Sequence, residues 1–138
     1  MRPLKAIVID DDRPTLQLLR AILEHRLYEV ETYQDPVRSP LFMNKVCPCS
    51  LHDTQCPDLI ITDLSMPQMN GVDLLEFNMK KGCRCRHLAL MTGKELKEEF
   101  LTRLAKYGTR FFLKPLNLDD FYPWLDRVEA QVAGHLPE

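Results

Sequence analysis

Apolar residues along this chain fall into two kinds of pattern. Ala6-Ile7-Val8-Ile9, Leu59-Ile60-Ile61, Leu88-Ala89-Leu90-Met91 and Phe111-Phe112-Leu113 are short continuous runs that read as strands, Leu59 to Ile61 as a buried one. Tyr28-Glu29-Val30-Glu31-Thr32-Tyr33 alternates instead and is rich in β-branched and aromatic residues, which predicts a strand at a sheet edge. Between the strands the period lengthens to that of a helix. Pro14 suits a first helical turn, and Leu16, Leu19, Leu23 and Leu27, with Leu18 and Ile22, form the apolar face of helix one. Val72, Leu75 and Met79, with Leu74, mark a helix that stops at Gly82. Lys94 to Tyr107 predicts a helix with Leu96, Phe100, Leu101 and Leu104 inward, ended by Gly108, and a last helix should span about Leu118 to Val132. Pro123 lies inside that last window and should delay or bend it. Strands alternating with helices predict an α/β domain with a parallel sheet, because parallel neighbours need crossover connections.

In such a sheet all the strand carboxyl ends share one edge, where ligands bind. The residues following the apolar runs are Asp10-Asp11-Asp12, Asp63, Thr92-Gly93 and Lys114-Pro115. Asp63 alone would read as a helix cap or turn residue. Asp10 to Asp12 are either a capping cluster for helix one or three mutually repelling acids that a bound cation would compensate. Lys114 alone would read as a surface lysine, although at this edge it would converge with three acids and a hydroxyl.

Val8-Ile9-Asp10-Asp11-Asp12, Asp63 followed by Met66-Pro67 and Gly71, Met91-Thr92-Gly93 and Lys114-Pro115 together resemble the receiver domain of two-component response regulators, over nearly the whole chain. The resemblance implies a flavodoxin-like, doubly wound five-stranded parallel sheet in the order 2-1-3-4-5 with five flanking helices. It implies that Asp63 is the phosphoacceptor and that Asp10, Asp11, Asp63 and the Ser65 carbonyl hold Mg²⁺. Lys114, before a cis proline, would pair with the phosphoryl oxygens and Thr92 would donate its hydroxyl to them. Thr92 and Phe111 would form the switch, acting on the face made by helix four, strand five and helix five. Phe111 lacks the tyrosine hydroxyl common in the family, so such a switch would work by packing alone. Lys94 would lie where side chains affect phosphate lifetime. The implied partners are a sensor histidine kinase or a phosphotransfer protein, an output protein of unknown identity, and a second copy of the chain through the switch face. The implied chemistry is limited to Mg²⁺-dependent self-phosphorylation from a phosphodonor and autodephosphorylation, so an enzyme acting on a separate substrate is not expected.

The chain departs from that family between about residues 38 and 57. Pro40, Pro48 and Pro57 prevent one continuous helix there, and a short helix around Pro40 to Lys45 followed by a cysteine-bearing loop is expected instead. Cys47 and Cys49 lie on this insertion, Cys56 precedes the third strand, and Cys83 and Cys85 precede the fourth. All five should gather at the amino-terminal edge of the sheet, opposite Asp63. Three readings stay open. The thiols form a Zn²⁺ site, with His52 and His87 as spare ligands; or they are small buried hydrophobes; or they sense redox state, since Lys80, Lys81, Arg84 and Arg86 would favour thiolate near Cys83 and Cys85.

The 138 residues suit one domain with a two-sided core, and too few follow the last helix to form an output domain. The ending from Ala133 to Glu138 is either a terminus or the start of a linker. No stretch reaches the apolar length of a membrane span and no signal-peptide pattern precedes the first strand, so a cytoplasmic location without membrane association is expected. A net charge of -2 offers no electrostatic argument for direct nucleic-acid binding. Two other functions compete. One is a thiol- or metal-sensing, or zinc-stabilised, interaction module on the same fold. The other is a haloacid-dehalogenase-like phosphatase with an aspartate of strand one as nucleophile, although Asp10-Asp11-Asp12-Arg13-Pro14 has proline at the last place of that motif and the chain lacks room for a cap domain.

Overall fold

The computed structural model describes residues 2–44, 47 and 56–134. Five parallel strands form one sheet in the order β2-β1-β3-β4-β5: β1 (Lys5–Ile9), β2 (Glu29–Tyr33), β3 (Leu59–Asp63), β4 (His87–Thr92) and β5 (Arg110–Leu113). The helices are α1 (Arg13–His25), α2 (Pro40–Met43, after a 3₁₀ turn at Pro36–Arg38), α3 (Gly71–Lys80), α4 (Glu98–Ala105) and α5 (Leu118–Val132). The expected sheet order is the observed one. The continuous apolar runs of β1, β3 and β4 are almost wholly buried, whereas the alternating β2 is half exposed at one edge.

Successive side chains of a strand point to opposite faces, and the core divides accordingly. Ala6, Val8, Leu59, Ile61, Ala89 and Met91 meet Leu19 and Leu23 of α1 and Phe121 and Leu125 of α5. Ile7, Ile9, Ile60, Leu88 and Leu90 meet Leu41 of α2, Val72 and Leu75 of α3 and Leu104 of α4. Each fully buried Leu, Ile or Phe contributes roughly 1.5–3 kcal/mol. The Phe121 ring stands edge-on to Phe112, with centroids 5.5 Å apart, closing the core under α5.

Four local expectations are corrected. α1 ends at His25, and Leu27 is 80% exposed in a left-handed turn (φ 70°), because the chain reverses there to enter β2; Leu18, also expected on the apolar face, is exposed. α4 begins only at Glu98, after a bend at Gly93 and Lys94 in which the Thr92 hydroxyl bonds the Lys94 backbone, and Leu101 is exposed while Leu104 is buried. α2 stops at Met43, two residues short of Lys45. α5 runs unbroken through Pro123; that proline and Asp119, whose carbonyl loses its donor, are both exposed, so water can replace the missing bond. Among the described residues no helix is long and apolar enough to cross a membrane.

Candidate functional site

The hydrogen-bond ladders decide which residues meet at the carboxyl edge. Ile9 pairs with Thr62, so Asp10 and Asp63 follow side by side on the neighbouring strands β1 and β3. Asp63 pairs with Met91 and Thr92 with Leu113, which brings Thr92 and Lys114 to the same edge. The ladders continue past the strands: Asp10 N–H donates to the Tyr33 carbonyl (3.1 Å), Leu64 to Met91 (2.8 Å) and Lys114 to Thr92 (2.7 Å). β1 and β3 flank the point where the order of connections reverses, the place at which open α/β sheets form a ligand crevice.

Asp10 is fully buried and Asp63 is 5% exposed. The Lys114 ammonium bridges them, 2.8 Å from Asp10 Oδ2 and 3.0 Å from Asp63 Oδ1, and the Lys114-Pro115 peptide is cis. The other Asp10 oxygen accepts the Asp12 N–H at 2.9 Å. Burial raises the pKa of both carboxyl groups, offset only in part by the Lys114 hydrogen bond. Burial acts against the Lys114 charge too, but hydrogen bonds to Asp10 and Asp63 outweigh it and raise the lysine above its ordinary value. Carboxylate oxygens of Asp10, Asp11 and Asp63 lie within 4.8 Å of one another. The acidic run therefore divides. Asp12 caps α1, accepting from Thr15 N–H at 3.1 Å, while Asp10 and Asp11 join Asp63.

A groove of about 560 Å³ adjoins the acids, lined in part by Asp11, Ser65, Met66, Asn70 and Lys94. Thr92 is buried, and its hydroxyl is engaged with Lys94, donating to the carbonyl and accepting from the N–H, each at 3.1 Å. Phe111 is half-buried on β5 against the α3–α4 face. Gly71 carries a positional role that motif reading alone did not supply. A Cβ there would stand 2.2 Å from the Asp63 carbonyl oxygen and 2.7 Å from Leu90 Cδ1, so only glycine lets the start of α3 return so close to the end of β3. Its N–H closes the loop on the Leu64 carbonyl at 2.9 Å.

At the opposite edge, the sulfurs of Cys47, Cys56 and Cys83 lie within 4.8 Å of one another. Cys85 does not join them. Its buried thiol points to the His87 carbonyl at 3.7 Å, and burial pushes its pKa up, so the thiolate expected from the nearby arginines is disfavoured there. Cys49 and His52 lie outside the described residues.

Residues 6–124 match the family model of the response regulator receiver domain. Among curated relatives, the nisin biosynthesis regulatory protein NisR of Lactococcus lactis is 27% identical over 128 residues, covering 93% of this chain and 50% of that protein. The response regulator MprA of a Mycobacterium species is 28% identical over 131 residues, covering 95% of this chain and 48% of its own. The chain thus spans about half the length of these relatives. Among solved structures, the chemotaxis protein CheY4 of Vibrio cholerae superimposes with a TM-score of 0.69 at 25% identity, over 92% of this chain and 99% of that one. The N-terminal domain of an uncharacterized protein from Wolinella succinogenes shares the fold with a TM-score of 0.75 at 20% identity, covering 96% and 99%. A phosphatase with a nucleophile on β1 would need Asp10, which is fully buried with both oxygens engaged. With the family model covering most of its length and the acids and lysine gathered at one sheet edge, the chain belongs to the response regulator receiver domain family.

Proposed function

We propose that this receiver domain accepts a phosphoryl group on Asp63 from a histidine kinase or a phosphotransfer protein. The observation that carries this reading is the Lys114 ammonium held between Asp10 and Asp63. An Asp63 carboxylate oxygen attacks the donor phosphorus as the bond to the donor's leaving group breaks, giving an acyl phosphate on the protein. Lys114 neutralises charge on the transferred group, and its fixed position limits the reorganisation needed at the moment of transfer.

Three carboxylates face one ammonium here, an excess of two negative charges. Hard, closely set oxygens with that excess fit a divalent cation such as Mg²⁺. Asp10, Asp11 and Asp63 would hold it together with the backbone carbonyl of Ser65. When bound, it would supply charge neutralisation for phosphoryl transfer at this edge. Thr92 would exchange its bond to the Lys94 carbonyl for one to a phosphoryl oxygen, a stronger, charge-assisted acceptor. Movement of Thr92 would open space behind it for Phe111, shifting the population of the α4–β5–α5 face. That face already exposes Leu101, Leu113 and Tyr122, apolar surface through which an output partner or a second copy could bind. Lys94, on the groove rim, is placed to affect access of water to the acyl phosphate and hence its lifetime.

Intact mass after incubation with acetyl phosphate tests the reading. A single phosphoryl adduct is expected that requires Mg²⁺ and is absent from Asp63→Ala. An adduct that persists in Asp63→Ala, or none on folded protein with either a small donor or a phosphorylated histidine donor, overturns it.

A further inference from the structure

We propose that Cys47, Cys56 and Cys83 form a second metal site, at the amino-terminal edge of the sheet, that takes a thiophilic divalent cation, zinc foremost. The three residues come from separate segments: the insertion after α2, the run into β3 and the turn after α3. Their sulfurs nevertheless all lie within 4.8 Å of one another, with Cys47 and Cys56 Sγ 3.6 Å apart. Two thiolates bound about 2.3 Å from a tetrahedral zinc stand about 3.8 Å apart, whereas a disulfide brings two sulfurs to about 2.05 Å. A disulfide also leaves the third sulfur unused. A shared ion uses all three.

The surroundings hold these sulfurs in place. Lys81, at the end of α3, reaches across to the carbonyls of Leu41 and Asn44, both at 2.6 Å, and its own carbonyl accepts the Cys47 N–H at 3.5 Å. Thus α3 pins the insertion where Cys47 meets Cys83. The Arg84 N–H donates to Cys56 Sγ at 3.3 Å, an outer-shell bond of the kind that orients metal-bound thiolates. Cys47 and Cys83 are buried at 6% and 8% exposure and Cys56 is half-buried, so a cation there would be largely shielded by protein, and a fourth donor would complete a tetrahedral set. Three thiolates with a divalent cation leave one negative charge, and the Lys81 ammonium lies near enough to Cys47 and Cys83 to interact with it. Soft sulfur donors select zinc over magnesium. The carboxylate cluster stands a strand length away, about 15 Å, and offers only oxygens. One small domain would thus carry two cations of opposite preference, the sulfur-bound one fastening the insertion to the sheet.

The experiment is zinc binding by the whole reduced chain, followed by chelator competition and by cobalt(II) absorption. One ion per chain is expected, with cobalt giving sulfur-to-metal charge transfer and the intense visible bands of a tetrahedral thiolate site. Cys47→Ser, Cys56→Ser and Cys83→Ser should each weaken zinc binding about a hundredfold or more, at least the upper end of what outer-shell changes cost. Cys85→Ser should leave it unchanged. Circular dichroism and phosphoryl adduct formation report whether each variant is folded. If a serine variant fails to fold, the wild-type cobalt spectrum decides, since a spectrum without sulfur charge transfer overturns the site. Folded, reduced protein that binds no zinc, binding that survives loss of any one of the three sulfurs, or a metal-free Cys47–Cys56 disulfide as the isolated form would each overturn it as well.

Discussion

The two edges of the sheet are built in opposite ways. At the carboxyl edge, Asp10, Asp63, Thr92 and Lys114 sit at or one residue past the ends of four different strands, and the ladders fix their spacing. At the amino edge, Cys47, Cys56 and Cys83 sit on connections, held by Lys81 and by single backbone bonds. A ladder places a side chain through many cooperative hydrogen bonds, so the carboxyl edge is preorganised before any ligand arrives. Loops place a side chain through a few local contacts, so the amino edge gains more rigidity from whatever it binds. Hard oxygen donors occupy the rigid edge and soft sulfur donors the one that depends on its loops.

Substitutions at each edge sharpen that contrast. The largest effect is expected for Lys114→Ala. It should slow phosphoryl transfer about 10²–10³-fold as measured by adduct formation, and leave zinc binding at the other edge intact. Gly71→Ala should destabilise the fold by about 3 kcal/mol in urea denaturation, because a methyl group cannot be placed 2.2 Å from the Asp63 carbonyl without moving the end of β3. Phosphoryl transfer should fall with it, since the same shift displaces Asp63.

Asp63→Asn should act in the reverse direction on stability. Burial raises the folded-state pKa of this carboxyl group. The folded state therefore favours the protonated form, and stability is lost as pH rises from the unfolded value through the folded one. At pH 7 without Mg²⁺ the asparagine variant should be more stable by about 1 kcal/mol. The difference should close as pH falls below about 4, and Mg²⁺ should narrow it by stabilising the wild type more than the variant, which lacks one of three carboxylate ligands. Urea denaturation at the two pH values, with chelator and with Mg²⁺, checks each part. The smallest effect belongs to the amino edge. Leu27→Gly should add about 0.5–1 kcal/mol by relieving a left-handed leucine, net of the entropy that glycine loses. It should change neither adduct formation nor zinc affinity.

Much of the carboxyl edge is legible in the sequence, because each of its residues stands within a residue or two of the end of a run whose pattern marks it as a strand. The end of an apolar run determines where an acid or a lysine emerges. Helix ends are less legible. Leu27 continues the apolar spacing of α1, yet the connection to β2 requires a left-handed residue there and leaves its side chain in water. Leu101 fits the inward stripe of α4, yet it is exposed at the margin of that face while Leu104 is buried and Leu96 and Phe100 pack on the core. Pro123 reads as a break, while on an exposed face the missing hydrogen bond is tolerated.

The sequence by itself determined the alternation of strands and helices, the apolar faces of the sheet and the identity of the groups at the strand ends, since these follow from periods of two and 3.6 and from local chain stiffness. Only the tertiary structure decided that Asp12 leaves the acidic cluster to cap α1, that Gly71 is required by the Asp63 carbonyl, and that Cys85 turns away while Cys47, Cys56 and Cys83 meet. The meeting of Cys47, Cys56 and Cys83 and the approach of Gly71 to Leu90 depend on contacts between segments distant in sequence, which no local pattern encodes, while the Asp12 cap and the Cys85–His87 bond are local choices that the pattern left open.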